Sequence, residues 1–239
     1  MTNDEWWKKP RHVSVVVDND SWVLPYAEQV VARARIAGDE VTLARSHQQI
    51  EHGAVAFYLG CMRITPPEIL ARNRRNLVVH ASDLPKGRGF SPMTWLILEG
   101  HCDIPVCLLE ASEQVDCGLV VYREIIHLEG HELNGEIRNR LGLMHIELCL
   151  RFLNESVPPV GVAQEGEPTY YRRRYPAESR LDPQKSIADQ FDLLRVVDNE
   201  RHPAFFEYRG KCYRLTIDKM TEKGSRAHDE SENQTKDSG

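Results

Sequence analysis

The chain contains no apolar run that approaches the ~20 residues a membrane span requires. Its opening residues, Met1-Thr-Asn-Asp-Glu-Trp-Trp-Lys-Lys9, carry no signal-peptide pattern, so the cytoplasm is the expected compartment and a membrane partner is not expected. It lacks a Cys-x-x-Cys pair: the six cysteines at 61, 102, 107, 117, 149 and 212 stand mostly in apolar segments, which favours reduced, buried thiols over disulfides or zinc ligands. It lacks an excess of positive charge, and a net charge of −6 argues against a broad nucleic-acid-binding face. Its first strand is not followed by Gly-x-Gly-x-x-Gly, so the dinucleotide fingerprint is absent. The two histidines of His127-Leu-Glu-Gly-His131 are four apart, but the Glu is misplaced for a zincin helix and Gly130 interrupts the helical pattern; a solvated loop and no metal site are expected.

What is present is a globular composition, 41% hydrophobic and 28% charged over 239 residues, enough for one core with a small appendage. His12 to Val17 is a β-branched run suited to a buried parallel strand; Asp18-Asn-Asp-Ser21 offers turn and capping chemistry before a helix from about Trp22 to Ala37, which Gly38 ends. Capping and packing are the expected roles of Asp18 and Trp22, with a place facing the cleft as the alternative. Glu40 to Ala44, Ala54 to Leu59, Ile104 to Leu109 and Leu119 to Ile126 read as further strands, and Pro67 to about Arg74 as a helix. His131 to Asn154 repeats apolar residues at helical spacing, a core stripe. This alternation predicts an α/β fold with a doubly wound, mostly parallel sheet over residues 1–156. Pro158-Pro159, Gly161 and Gly166 mark a connector. A small α+β appendage over 157–219 is predicted to hold a helix from about Pro183 to Val197 and to end in a hairpin around Phe205-Phe206 and Tyr213 to Ile217. Residues 220–239 carry almost nothing to bury and are expected to be disordered.

The chemistry is expected between Asn76 and Pro92. Leu77 to Val79 forms an apolar strand that delivers His80 into a loop kept irregular by Pro85, Gly87 and Gly89; Ser91 and Pro92 then suit a helix start. A strand end presenting a histidine, followed by a glycine-rich cationic loop, is where α/β proteins place chemistry. Farther on, Arg172-Arg173-Arg174 reads either as a solvated edge or as a cluster for a pyrophosphate.

The run His80-Ala-Ser-Asp-Leu-Pro-Lys-Gly-Arg-Gly89 resembles the His-x-Ser-Leu-Leu-Pro-x-x-x-Gly signature of the 10-formyltetrahydrofolate-dependent formyltransferases. Val115-Asp116-Cys117-Gly118, with Asp116 standing 36 positions after His80, resembles that family's Asp-Thr-Gly turn. The block Arg195 to Tyr213 is similar to a C-terminal region shared by sugar N-formyltransferases, among which the enzymes of pseudaminic-acid-type pathways are the most alike. The resemblance implies 10-formyltetrahydrofolate as co-substrate, His80 and Asp116 as catalytic residues with Asn76 as a further candidate, and a folate pocket touching Cys61, Met62, Arg63, Ile64, Leu84, Pro85, Glu110 and Val115. Pairing of the pterin with backbone groups exposed at the strand end is expected around Cys61 to Ile64. A nucleotide-linked, UDP-carried amino sugar is implied as partner, met by Asp83, Lys86, Arg88, Gly89, Arg173, Arg174, Arg195 and Phe206, and a homodimer stays open as the assembly.

Two departures stand beside the reacting centre. Where the family usually has Asn two residues before the His, this chain has Val78, with Asn76 two residues earlier still; and the first Leu of Leu-Leu-Pro is Asp83. Val78 supplies no donor to a developing oxyanion, which leaves Asn76, Ser82 or backbone N–H groups for that task. Methionyl-tRNA and glycinamide ribonucleotide formylation are the same-family alternatives; a non-catalytic folate- or nucleotide-sugar-binding module is the alternative of another class.

Overall fold

The computed structural model describes residues 5–220, so the tail expected to be disordered lies outside the described residues. The chain forms two compact units, one through Tyr175 and one from Pro176. The break comes later than residue 157 because the connector folds with the first unit: Val162 exchanges backbone hydrogen bonds with Val120 at 2.8 Å in each direction.

The first unit is built on strands β1 (His12–Val16), β2 (Glu40–Ala44), β3 (Gly53–Tyr58) and β4 (Asn73–His80), a two-residue strand β5 (Arg88–Gly89), β6 (Asp103–Glu110), β7 (Val120–His127) and a short β8 (Tyr170–Tyr171). Six of them form one sheet in the order β2-β1-β3-β4-β6-β7; β2, β1, β3 and β4 run parallel, whereas β6 is antiparallel to β4 and β7 to β6. An apolar run is compatible with either direction, so the reversal after β4 is a tertiary decision. Helix α1 (Leu24–Ile36) buries Ala27, Val30, Val31 and Ala34, one stripe at helical spacing, and turns out of the helix at Gly38, where φ is +94°. It packs on a long helix, α4 (Asn134–Asn154); the helices between them in sequence, α2 (Pro67–Leu70) and α3 (Pro92–Leu98), are shorter. On α4, Gly142 is required: a Cβ there would stand 2.4 Å from the ring of Tyr26, whose hydroxyl donates to Asn139 at 3.0 Å. Trp22 meets Tyr26 and His145 edge to face, a packing role as expected.

Two expectations shift at boundaries. Helix α2 stops at Leu70 rather than near Arg74, because the Arg72 carbonyl accepts from Gly53 N–H and Asn73 enters the ladder beside β3. Ser91 precedes α3 in the left-handed region (φ 50°) and makes no side-chain capping bond. All six cysteines are free, and no helix among the described residues is long and apolar enough to cross a membrane.

The second unit holds α5 (Phe191–Val196) and the hairpin of β9 (Ala204–Tyr208) and β10 (Lys211–Leu215). Arg209 and Gly210 both have positive φ, as a two-residue hairpin turn demands. The expected helix from Pro183 is reduced to α5 and a preceding 3₁₀ turn. Gln190 accepts from the Asp182 N–H and donates to the Asp182 carbonyl, and the Asp182 carboxylate takes Gln184 N–H; these local bonds compete with the helix ladder. Leu181, Leu194, Val197 and Ala204 form the core of this unit.

Candidate active site

Strand β4 carries His80 to its last position, opposite Cys107 of β6, and leaves it 7% exposed. Its Nε2 donates to the carbonyl of Gly87 at 2.8 Å, and its Nδ1 lies 3.5 Å from Asp116 Oδ1. Each ring nitrogen thus faces an acceptor; the neutral ring donates to one of them and the imidazolium to both. Asp116 sits in the β6–β7 turn with φ 56° and accepts the backbone N–H of Gly89 on Oδ2 at 2.9 Å. The pair that sequence spacing left 36 positions apart is therefore closed into a ring through the glycine loop.

That loop is strapped from the other side. Gly87 N–H donates to Thr169 Oγ1 at 2.8 Å, Arg88 N–H to the Thr169 carbonyl and Phe90 N–H to the Tyr171 carbonyl, which is the β5–β8 pairing. At Gly89, φ is +99° and a Cβ would stand 2.4 Å from the Tyr171 carbonyl oxygen, so close approach and conformation both demand glycine. Gln164 braces Asp116: its amide donates to the carbonyls of Asp116 and Gly118 at 2.8 and 2.9 Å and accepts from Arg88 at 2.6 Å. Sequence reading missed Gln164 and Thr169. A polar side chain in a Pro- and Gly-rich connector carries no local signal of the distant partner it will meet.

The other expected residues divide. Arg123 of β7 donates to the Asp83 carboxylate at 2.8 Å and to the Leu84 carbonyl at 2.7 Å, while Leu84 packs with Cys107, Leu109 and Val120. An open cavity of about 820 Å³ lies against residues 83–86, the start of β7, Val162, Ala163 and residues 165–167, so Pro85 and Lys86 line it. Beside the loop, Trp95 stacks on Tyr171 at 5.9 Å; the guanidinium groups of Arg172 and Arg174 lie 4.9 and 5.9 Å from its ring, with Arg173 exposed. Glu110 pairs with Arg75 at 2.7 Å.

The loop from Cys61 to Ile64 is organised differently from the expectation. Its Met62 and Arg63 N–H groups are not open to a ligand's edge: both donate to the Asp18 carboxylate at 2.9 Å. Cys61 packs on the core beside Val16, leaving Met62, Ile64 and, in the β6–β7 turn, Val115 exposed as apolar side chains. Partial burial pushes the Asp18 carboxyl up, yet the hydrogen bonds from Asn19, Met62 and Arg63 and the charge of His47 outweigh it and leave it below the usual aspartate range. A depressed carboxyl stabilises the fold above its ordinary pKa of about 3.9, and that contribution fades as pH falls through the lower folded value. Asp18→Ala is expected to lower the melting temperature by a few degrees at pH 7, with the gap to wild type narrowing below about pH 4. A gap that stays constant with pH would remove the carboxylate from this role.

Arg195 and Phe206 stand in the second unit, where Arg195 is 1% exposed with Asp192 at 3.5 Å, an enclosure that suits the structural role the sequence equally allowed. Phe206 packs against the core of the second unit and stacks on Tyr213. Asn76 likewise serves the fold. Its amide donates to the Leu70 and Asn73 carbonyls at 2.9 and 3.4 Å and accepts from the Tyr58 hydroxyl at 3.2 Å, about 13 Å along the strand from His80 at ~3.3 Å per residue. Asn76→Ala is expected to reduce turnover by less than about tenfold while lowering the melting temperature; a loss matching that of His80→Ala in a folded variant would return Asn76 to the catalytic set.

The model of the formyl transferase family matches residues 19–151, more than half of the chain, from the loop after β1 into the last turn of α4. The chain belongs to the formyl transferase family. Among its relatives, a methionyl-tRNA formyltransferase from Rickettsia typhi is 29% identical over 155 residues, covering 64% of this chain and 50% of its own, so the chain spans about half the length of the curated relatives it matches. Two solved structures share the fold. A likely sugar N-formyltransferase from Mycobacterium tuberculosis superposes with a TM-score of 0.68 at 17% identity, over 89% of this chain and 99% of that one. HypX from Aquifex aeolicus in complex with tetrahydrofolic acid does so with a TM-score of 0.70 at 16% identity, over 87% of this chain and 38% of that one.

Proposed function

We propose that the protein is an N-formyltransferase that moves the formyl group of 10-formyltetrahydrofolate to the amino group of a nucleotide-linked sugar, a UDP-carried 4-amino-4,6-dideoxy sugar first among them. The observation that carries the reaction type is the enclosed His80–Asp116 pair at the end of β4, joined through Gly87 and Gly89. The amine nitrogen forms a bond to the formyl carbon as its proton passes to His80 Nδ1, the ring nitrogen that does not donate to Gly87, and the Asp116 carboxylate beside that nitrogen faces the cation that results. The tetrahedral species then collapses, the bond to the folate nitrogen breaks, and that nitrogen takes the proton back. The exposed apolar Met62, Ile64 and Val115 suit the faces of a pterin ring better than its hydrogen-bonding edge.

For the acceptor, the supporting observations are the arginines gathered on Trp95 beside the glycine loop, which suit a pyrophosphate, the net charge of −6, and the likeness to a likely sugar N-formyltransferase over nearly all of that chain. Methionyl-tRNA is the second reading, favoured by the names of the sequence relatives. Incubation with the folate donor and UDP-, dTDP-, GDP- and CMP-linked amino sugars, or with methionyl-tRNA, separates the two. A mass gain of one formyl group on a UDP-amino sugar is expected; formylation confined to the tRNA, or to nothing, rejects the sugar reading.

A further inference from the structure

We infer that the hydroxyl of Ser82 is the side-chain donor that holds the formyl oxygen as it becomes an oxyanion, an inference that rests on the formyl-transfer reading above. The strand face leading to His80 offers no other such donor. Val78 is apolar and packs into two core clusters, and the Asn76 amide is committed to two carbonyls far down the strand. Ser82 differs from every other hydroxyl near the site. It is 1% exposed, yet its Oγ has no hydrogen-bond partner among the described residues. Buried polar groups are nearly always paired, so an orphan hydroxyl two residues past a catalytic histidine points to a partner that arrives with the substrate.

The position of Ser82 fits that task. Its backbone is pinned where the Cys107 thiol donates to the Ser82 carbonyl at 3.2 Å, so the residue is not free to swing. Its side chain abuts Gly87: a Cβ on that glycine would stand 2.9 Å from Ser82 Cβ. The Gly87 carbonyl is the group that receives His80 Nε2, so the imidazole and the hydroxyl converge on one residue of the loop. As the amine adds, the carbonyl π pair moves onto the formyl oxygen and the Ser82 O–H donates to it without giving up its proton. Collapse of the oxyanion re-forms the carbonyl and releases the folate nitrogen, and the hydrogen bond relaxes. A hydroxyl on a fixed loop thereby supplies what an amide at position 78 supplies in the family pattern.

The experiment is a comparison of binding and turnover in the full-length wild type, Ser82→Ala and Ser82→Cys. Dissociation constants are measured by calorimetry for 10-formyl-5,8-dideazafolate and for unformylated 5,8-dideazafolate. Wild type is expected to prefer the formylated analogue by about tenfold, and Ser82→Ala to erase that preference while binding the unformylated analogue unchanged. Turnover on an accepted amine is expected to fall by about a hundredfold, the scale of losing an oxyanion donor, with the KM for the formylated folate rising by no more than the roughly tenfold lost in binding. Ser82→Cys, which fills the same volume with a weak donor, is expected to fall between the two and decides the matter if the alanine variant does not fold. No preference in wild type, or a preference that Ser82→Ala leaves intact, overturns the inference. Both binding readouts are independent of the amine, so a failed acceptor screen sinks the proposed substrate without touching this result.

Discussion

His80→Ala is expected to lower formyl-transfer turnover by roughly a hundredfold or more in a protein that stays folded. The ring is enclosed at 7% exposure, and it links the two groups that define the site, Gly87 through Nε2 and Asp116 through Nδ1. Removing it takes away the proton acceptor at the end of β4 and leaves the Asp116 carboxylate without the ring it faces. Asp116→Ala is expected to cost somewhat less, on the order of tens of fold, because the Gly87 carbonyl still orients the imidazole. Steady-state kinetics on an accepted amine, alongside circular dichroism, gives the answer. If His80→Ala is nearly silent while folded, the assignment of this stretch as catalytic fails altogether.

Gly118→Ala is expected to be the most damaging single methyl in the first unit. A Cβ there would lie 1.8 Å from the carbonyl oxygen of Glu110, a backbone atom held in the sheet by Leu77 and by the Glu110 N–H bond to the Leu119 carbonyl. Neither partner is the free end of a flexible side chain, so the β6–β7 turn must move as a whole. Overpacking of this kind costs about 3 kcal/mol or more, a fall of roughly 6 to 12 °C in melting temperature for a chain of this size. The Gly118 carbonyl shares the Gln164 amide with Asp116, so the same displacement is transmitted to the carboxylate that faces His80. Thermal unfolding checks the first effect and turnover the second. A melting temperature within about 2 °C of wild type would mean that the turn is far softer than its packing implies.

Much of this is readable in the chain because it is local. Val13 to Val17 is β-branched apart from Ser14 and is buried in the parallel half of the sheet; Ala27, Val30, Val31 and Ala34 repeat at 3.6 residues and become the buried stripe of α1; Arg209-Gly210 adopts the positive φ of a hairpin turn. His80 at a strand end before a glycine loop is equally local, and resemblance supplied Asp116 as its partner. The expectations that missed did so where a side chain's partner is distant in sequence. Asp18 captures the N–H groups of Met62 and Arg63, some 45 positions away, which no turn or capping signal at either end encodes.

The sequence by itself determined the element types, the α/β class and the histidine's place, since periodicity, turn chemistry and strand-end position depend on neighbours within a few residues. Only the tertiary structure decided the reversal of β6 and β7, the strap of Thr169 and Tyr171 over the glycine loop, the brace of Gln164, the burial of Arg195 and the isolation of the Ser82 hydroxyl. The physical reason is the same in each case. A hydrogen bond or a burial between residues tens of positions apart is satisfied by the packing of whole elements, and polar side chains of identical type are compatible with being paired, enclosed or exposed until that packing is complete.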